Sequence, residues 1–88
     1  MWNLVFSKQA DKQLSKFDRG VSRMIVAWLM KNIHHCSDPR QHGKALVANR
    51  SGQWRYRIGD YRVLCEIQDD RLVVLAVAVG HRRSVYNN

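Results

Sequence analysis

Residues 54–65 constrain the fold of this chain more than any other segment. They predict a β-hairpin, because two runs of alternating side chains flank Gly59-Asp60, and glycine at the first position of a two-residue loop suits a type II′ turn. This turn fixes the register of the two strands. It pairs Ile58 with Tyr61, Arg57 with Arg62, Tyr56 with Val63, Arg55 with Leu64 and Trp54 with Cys65.

The predicted hairpin has one apolar and one basic face, because successive side chains of a strand point to opposite sides. Arg55, Arg57 and Arg62 share the basic face. Like charges directly opposite each other destabilise a sheet, so Arg57 across from Arg62 indicates an anion site. Guanidinium groups bind phosphate oxygens in pairs, and the chain carries a net charge of +8. The expected partner is therefore a nucleic acid.

The segments before the hairpin predict a strand and two helices. Residues 2–6 are rich in aromatic and branched side chains and predict a short strand. Ser7 and Asp18 are suitable N-caps for two helices. The second helix has apolar residues at three- and four-residue steps, and we expect it to end near Cys36, before Ser37-Asp38-Pro39. Residues 40–53 are a connection with a short strand or turn around residues 45–47.

The almost continuously apolar residues 71–79 predict a last strand in the middle of the sheet, covered on both faces. The expected fold is one α+β domain over residues 1–88, in the order β-α-α-β-β-β. Two N-terminal helices pack on one face of a small, mainly antiparallel sheet. The basic face of the hairpin then lies on the open side.

The sequence offers little support for a metal, a cofactor or a membrane partner. Cys65 falls on the apolar face and is expected in the core. His34-His35-Cys36 lacks a second ligand pair at a workable spacing, so no metal site or other cofactor is expected. Neither a signal peptide nor an apolar stretch long enough to span a bilayer is recognisable. The predicted location is the cytoplasm.

The hairpin motif and the C-terminal sequence Gly-His-Arg-Arg-Ser-Val-Tyr, residues 80–86, together resemble the RelE family of the RelE/ParE toxin superfamily. The resemblance covers essentially the whole chain. It implies a RelE-like fold and a toxin of a type II toxin–antitoxin module that cuts mRNA in the ribosomal A site without a metal. It also implies as partners a cognate RelB-like antitoxin, the ribosome, mRNA and rRNA, with operator DNA bound only through the antitoxin.

The resemblance also assigns a catalytic set. Its basic pair matches Arg55 and Arg57, the arginine after the turn matches Arg62, the arginine after the last strand matches Arg82, and the C-terminal tyrosine matches Tyr86. We expect the arginines to stabilise the phosphate during attack by the ribose 2′-hydroxyl, and Tyr86 to stack on a base or orient that hydroxyl. In the best-known relatives the basic pair is lysine.

The residue that transfers a proton is not settled by these motifs, because a guanidinium is a poor general base near neutral pH. Tyr86 and His81 are the titratable candidates, and a solvated or structural role is the alternative for His81. Other basic residues are candidate contacts to RNA or the ribosome: Lys8, Lys12, Lys16, Lys44, Arg50 and Arg83. A solvated helix face is the alternative for the first three lysines, and an antitoxin contact is an alternative for Arg83.

Two other functions compete with RNA cleavage. A ParE-like toxin shares the fold but inhibits DNA gyrase as a binding protein, and that branch generally lacks the full basic set and the terminal tyrosine. A non-catalytic RNA- or ribosome-binding module would use the arginines for affinity alone.

Overall fold

The computed structural model describes residues 1–46 and 53–81, and in these residues two helices pack on a five-stranded sheet. The elements in chain order are β1 (Asn3–Phe6), α1 (Lys8–Lys16), α2 (Arg19–Asn32), β2 (Lys44–Ala45), β3 (Gln53–Ile58), β4 (Tyr61–Gln68) and β5 (Val73–His81). The strand order is β1-β5-β4-β3-β2. Strand β1 runs parallel to β5, and the other neighbours are antiparallel. The predicted α+β class is confirmed.

The hairpin of β3 and β4 has the predicted register. Arg57 lies opposite Arg62 and Ile58 lies opposite Tyr61, and the other three predicted pairs are also present. Gly59 has a φ of 60°, whereas Asp60 is not among the residues with positive φ. A positive φ at the first loop position alone is the signature of a type II′ turn, so the predicted turn type is confirmed.

Both predicted helix caps are present. The Ser7 hydroxyl accepts a hydrogen bond from the Ala10 N–H at 3.0 Å and donates one to the Val77 carbonyl at 3.1 Å. The Asp18 carboxylate accepts a bond from the Gly20 N–H at 3.0 Å. These side chains satisfy backbone donors that have no partner within the helix, and Ser7 also attaches α1 to β5.

The predicted end of α2 is several residues too late. The helix ends at Asn32, and His35 takes a left-handed backbone conformation with a φ of 63°. There the His35 N–H donates to the Trp2 carbonyl at 2.7 Å, and the Trp2 N–H donates to the Cys36 carbonyl at 3.2 Å. The chain leaves the helix to pair with the start of the molecule, which the local stop signal around Pro39 does not encode.

A single buried cluster lies between the helices and one face of the sheet. The helices contribute Ala10, Leu14, Ile25 and Leu29, and Ile33 follows directly after α2. The hairpin and β5 contribute Tyr56, Ile58, Val63, Cys65, Ile67, Val74, Ala76 and Val79. Each fully buried large side chain favours folding by about 1.5–3 kcal/mol. The predicted core position of Cys65 is confirmed, and burial raises the pKa of its thiol.

Strand β5 lies in the middle of the sheet, as predicted, but it is only partly covered on the side away from the helices. Val74 and Ala76 on the helix side are fully buried, while Val73, Leu75 and Val77 are half-buried. The strand also begins two residues late, because Leu72 has a φ of 52° and belongs to the preceding turn. The expectation of two covered faces is therefore corrected, since both helices pack on the same face.

The connection between α2 and β3 is fastened to the hairpin by side chains. The Tyr56 hydroxyl donates to the Pro39 carbonyl at 2.7 Å, and the Trp54 indole N–H donates to the His42 carbonyl at 2.7 Å. Arg40 forms a two-pronged ion pair with Asp69, at 2.9 and 2.8 Å, and these hydrogen bonds hold the pKa of the Asp69 carboxyl below its usual range. The predicted short strand is present as β2.

Gly43 lets this connection approach β3 closely. Its φ is 78°, and a Cβ at this position would lie 2.2 Å from the Arg55 carbonyl oxygen. Any side chain here would therefore both strain the backbone and collide with β3. None of the helices among the described residues is long and apolar enough to cross a bilayer.

We predict that Gly43→Ala destabilises the protein more than Gly59→Ala does. Both glycines have positive φ, which costs an alanine about 1–2 kcal/mol. At Gly59 the nearest atom to an added Cβ is the Met24 methyl carbon at 3.9 Å, so no collision is added. Urea unfolding of the two variants measures the difference, and equal free energies of unfolding would contradict the close approach at Gly43.

Candidate phosphate-binding pocket

A pocket of about 320 Å³ lies where the connection, α2 and the hairpin meet. Its lining comes from five parts of the chain: Trp28 of α2, His42 and Gly43 of the connection, Lys44 of β2, Arg55 and Arg57 of β3, and Arg62 of β4. The three hairpin arginines that sequence analysis placed on one face therefore share one cavity. The pocket also extends past the edge of β3 to a residue of α2, which the expected open sheet face did not include.

Strand pairing places the cations next to each other. Arg57 lies opposite Arg62 across β3 and β4, and Lys44 lies opposite Arg55 across β2 and β3. Arg55 and Arg57 are two residues apart on one strand and so point to the same side. All ionised side chains that line the pocket are positive, so a bound anion would relieve repulsion among them.

The Arg62 guanidinium is the feature of the pocket that most favours an anion as its ligand. Its Nε and Nη1 atoms are buried, and they have no hydrogen-bond acceptor among the residues that the structure describes. A buried N–H without an acceptor is costly, because it has given up water without a replacement hydrogen bond. A phosphate in the pocket would supply the opposite charge, and also acceptor oxygens for these nitrogens once the side chain turns toward it.

Aromatic side chains form a firm wall beside the cations. The Trp28 ring packs edge-on against the His42 ring, with 5.5 Å between the ring centroids. It is tilted against the Tyr56 ring, with 5.7 Å between the centroids. Tyr56 is fully buried, and burial raises the pKa of its hydroxyl, which already donates to the Pro39 carbonyl. Tyr56 is therefore a structural residue, and Trp54 also packs against the core, as the sequence indicated.

The other predicted site residues have different positions. His81 pairs with Tyr61, its ring lies 5.6 Å from the Tyr61 ring, and Tyr61 in turn packs on Phe17 of α1. His81 thus lies on the helix side of the sheet and does not line the pocket. Lys8, Lys12 and Lys16 are exposed on α1, also away from it. Arg50, Arg82, Arg83 and Tyr86 lie outside the described residues.

Sequence analysis did not name three residues that line the pocket: Trp28, His42 and Gly43. Trp28 belongs to the apolar pattern of the second helix, which predicts core positions, but it is only partly buried. His42 was predicted only as part of the connection. Gly43 is the sequence signal for the part of the pocket that the connection forms, because a glycine inside a connection often marks a close backbone approach. No group of three or more potential metal ligands occurs in residues 1–46 and 53–81.

The fold is similar to that of toxins from type II toxin–antitoxin systems. Its structure is similar to a chain of the RelBE2 toxin–antitoxin complex of Mycobacterium tuberculosis, with a TM-score of 0.82 and 26% identity over 92% of this chain and 91% of that one. The fold is also similar to that of the isolated RelE toxin of Escherichia coli, with a TM-score of 0.71 and 20% identity over 99% and 93% of the two chains.

Sequence comparison gives the family. A profile described as the ParE toxin of the type II toxin–antitoxin system parDE matches residues 4–86. The chain therefore belongs to this toxin family, within the RelE/ParE superfamily. Among characterised proteins, it is similar to Toxin RelG of Mycobacterium tuberculosis, with 27% identity over 81 residues that cover 92% of this chain and 91% of that protein.

We predict that Arg62→Met abolishes stabilisation by sulfate without destabilising the free protein. Methionine fills much of the same space but removes the charge together with the two buried nitrogens that find no acceptor in the described part of the chain. At a sulfate concentration ten times the dissociation constant, the wild-type protein gains about 1.4 kcal/mol of stability. Thermal unfolding with sulfate, against sodium chloride of equal ionic strength, measures this gain.

The matched control is Arg23→Met, which removes an exposed arginine on α2. This variant keeps the response to sulfate. An undiminished sulfate response in Arg62→Met would contradict an anion site at Arg62.

Proposed function

We propose that this toxin is a ribosome-dependent, metal-independent endoribonuclease that cuts mRNA in the ribosomal A site and so inhibits translation. The observation that supports this most is the pocket in which Arg55, Arg57 and Arg62 converge, with two buried Arg62 nitrogens that have no acceptor within residues 1–46 and 53–81. A pocket of this charge suits the phosphodiester of RNA, whose oxygens gain charge as the bond breaks.

The proposed reaction uses the ribose 2′-hydroxyl as nucleophile on the adjacent phosphorus. The O2′–P bond forms, the P–O5′ bond breaks, and the products carry a 2′,3′-cyclic phosphate and a 5′-hydroxyl. Arg57 and Arg62 lie on opposite strands and can hold the non-bridging oxygens from two sides. Arg55 binds there or holds a neighbouring phosphate.

Arg82 and Tyr86 complete the proposed catalytic set on the resemblance to the RelE family alone. Both follow β5 in the sequence, within five residues of its last residue, His81. In this proposal Arg82 adds a further cation at the scissile phosphate, and Tyr86 stacks on a base or orients the 2′-hydroxyl.

The ribosome supplies the rest of the substrate geometry in this proposal. The exposed lysines of α1, together with Lys44, Arg50 and Arg83, are the candidate contacts to rRNA. Cationic side chains on a chain of net charge +8 favour association with a polyanion of this kind. Because positioning contributes much of the rate, free RNA is expected to be a poor substrate.

We further propose a RelB-like antitoxin as the partner that holds the toxin inactive. The similar structures include RelB–RelE complexes from Methanococcus jannaschii and Pyrococcus horikoshii. An acidic or amphipathic antitoxin segment would complement the basic pocket, and operator DNA would be bound through the antitoxin.

Gyrase inhibition is the second candidate, because the matched family carries the name of the ParE toxin. The convergence of arginines on one pocket favours RNA cleavage over it. A module that binds RNA without cutting it is the third candidate. The mRNA cleavage rates of the variants described below distinguish it from the first candidate.

We predict that Arg62→Ala lowers the rate of mRNA cleavage on programmed ribosomes by about a hundredfold or more. Loss of one preorganised donor at a charge-developing oxygen raises the barrier by about 3 kcal/mol. Single-turnover cleavage of a labelled message in the A site measures the rate, and co-sedimentation measures ribosome binding, which Arg62→Ala largely retains. Arg23→Ala is the matched control and keeps the wild-type rate.

Parallel loss of binding and cleavage in Arg62→Ala would favour the binding module. An uncut message with wild-type toxin would remove the nuclease, and inhibition of purified gyrase would then support the ParE-like activity.

A further inference from the structure

The pocket contains a residue that the resemblance does not assign, His42. His42 lines the same cavity as Arg55, Arg57 and Arg62, and its ring packs against Trp28, which also lines it. The residue is half-buried, while the neighbouring Lys44 is exposed.

Three attachments fix the position of His42. The Trp54 indole N–H donates to its carbonyl at 2.7 Å, and its ring packs edge-on against Trp28 at 5.5 Å. The following residue, Gly43, lies so close to β3 that a Cβ would collide with the Arg55 carbonyl. The imidazole is therefore held at the wall of the pocket by the backbone on one side and by an aromatic ring on the other.

His42 also has a chemical capacity that the other described lining residues lack. Arginine, protonated lysine and the tryptophan indole are hydrogen-bond donors with no site that accepts a proton, and Gly43 has no side chain. A neutral imidazole has one nitrogen with a free lone pair, and imidazole exchanges its proton in the neutral pH range. The pocket thus holds cations that can stabilise a phosphorane and one group that can take a proton.

We infer that His42 is the general base of the reaction, an inference that rests on the proposed RNA cleavage. Its unprotonated nitrogen takes the proton of the ribose 2′-hydroxyl as the O2′–P bond forms. The P–O5′ bond breaks, the leaving oxygen takes a proton from water, and the resulting imidazolium returns its proton to solvent. No oxidant, reductant or metal enters this balance.

The alternatives among the described residues are weaker on their geometry. His81 lies beside Tyr61 on the helix side of the sheet, away from the arginines. Lys44 lines the pocket, but an ammonium group must first lose a proton before it can accept one. If His81 or Lys44 were the base instead, substitution of that residue, and not of His42, would remove the pH dependence of the cleavage rate.

The test compares His42→Gln with wild type in single-turnover cleavage of mRNA on programmed ribosomes, between about pH 5.5 and 8.5. General-base catalysis contributes about 10²–10⁴-fold, so we expect a loss of about a hundredfold or more at pH 7.5. The wild-type rate rises with pH through the range in which imidazole loses its proton, and this rise is absent in His42→Gln. Free imidazole added to His42→Ala restores part of the rate, which a purely structural role would not allow.

The control variant is His35→Asn, at an exposed histidine beyond the end of α2. It keeps both the rate and the pH profile. Ribosome co-sedimentation and thermal unfolding establish that His42→Gln is folded and bound.

Three results would overturn the inference. The first is a His42→Gln rate within about threefold of wild type with an unchanged pH rise. The second is a loss of the rise in Lys44→Met or His81→Gln instead. The third is absence of imidazole rescue in a folded His42→Ala that still binds ribosomes. If wild type itself does not cleave while it binds ribosomes, the proposed nuclease activity fails first, and the inference falls with it.

Discussion

The register of the β3–β4 hairpin is the constraint on which the rest of the structure depends, and it places Arg57 opposite Arg62. Their positions follow from the register of the hairpin, which is fixed by the turn at Gly59 and by the apolar side chains on the other face. A slip by one residue would move those apolar side chains out of the core. Burial of each contributes about 1.5–3 kcal/mol, whereas like charges across a strand pair cost about 1 kcal/mol or less, so the core maintains the repulsion.

The connection before the hairpin turns this charged surface into a pocket. Pro39 and His42 accept hydrogen bonds from Tyr56 and Trp54, two side chains that also contact the core. The same packing that stabilises the fold therefore positions the backbone around Gly43 and the wall next to the arginines. Such support makes the wall of the pocket rigid, and preorganisation of this kind is the condition for strong electrostatic stabilisation of the proposed phosphate.

The features predicted correctly from the sequence are those determined by residues that lie close together along the chain. The turn type, the register of the hairpin and the caps at Ser7 and Asp18 depend on residues a few positions apart, and all are confirmed. The end of α2 was predicted wrongly, because it depends on backbone pairing of His35 with Trp2 across the molecule. His42 was missed for the same reason, since its role in the pocket arises only when the connection docks on β3.

The parallel pairing of β1 with β5 has a consequence for how the chain matures. Strand β1 pairs with β5, from Asn3 with Val73 to Phe6 with Ala76, so about 70 residues separate the two partners in sequence. Contacts so distant in sequence form late, because the intervening loop must be ordered first. The hairpin of β3 and β4, whose contacts are local, is therefore expected to form before this edge of the sheet closes.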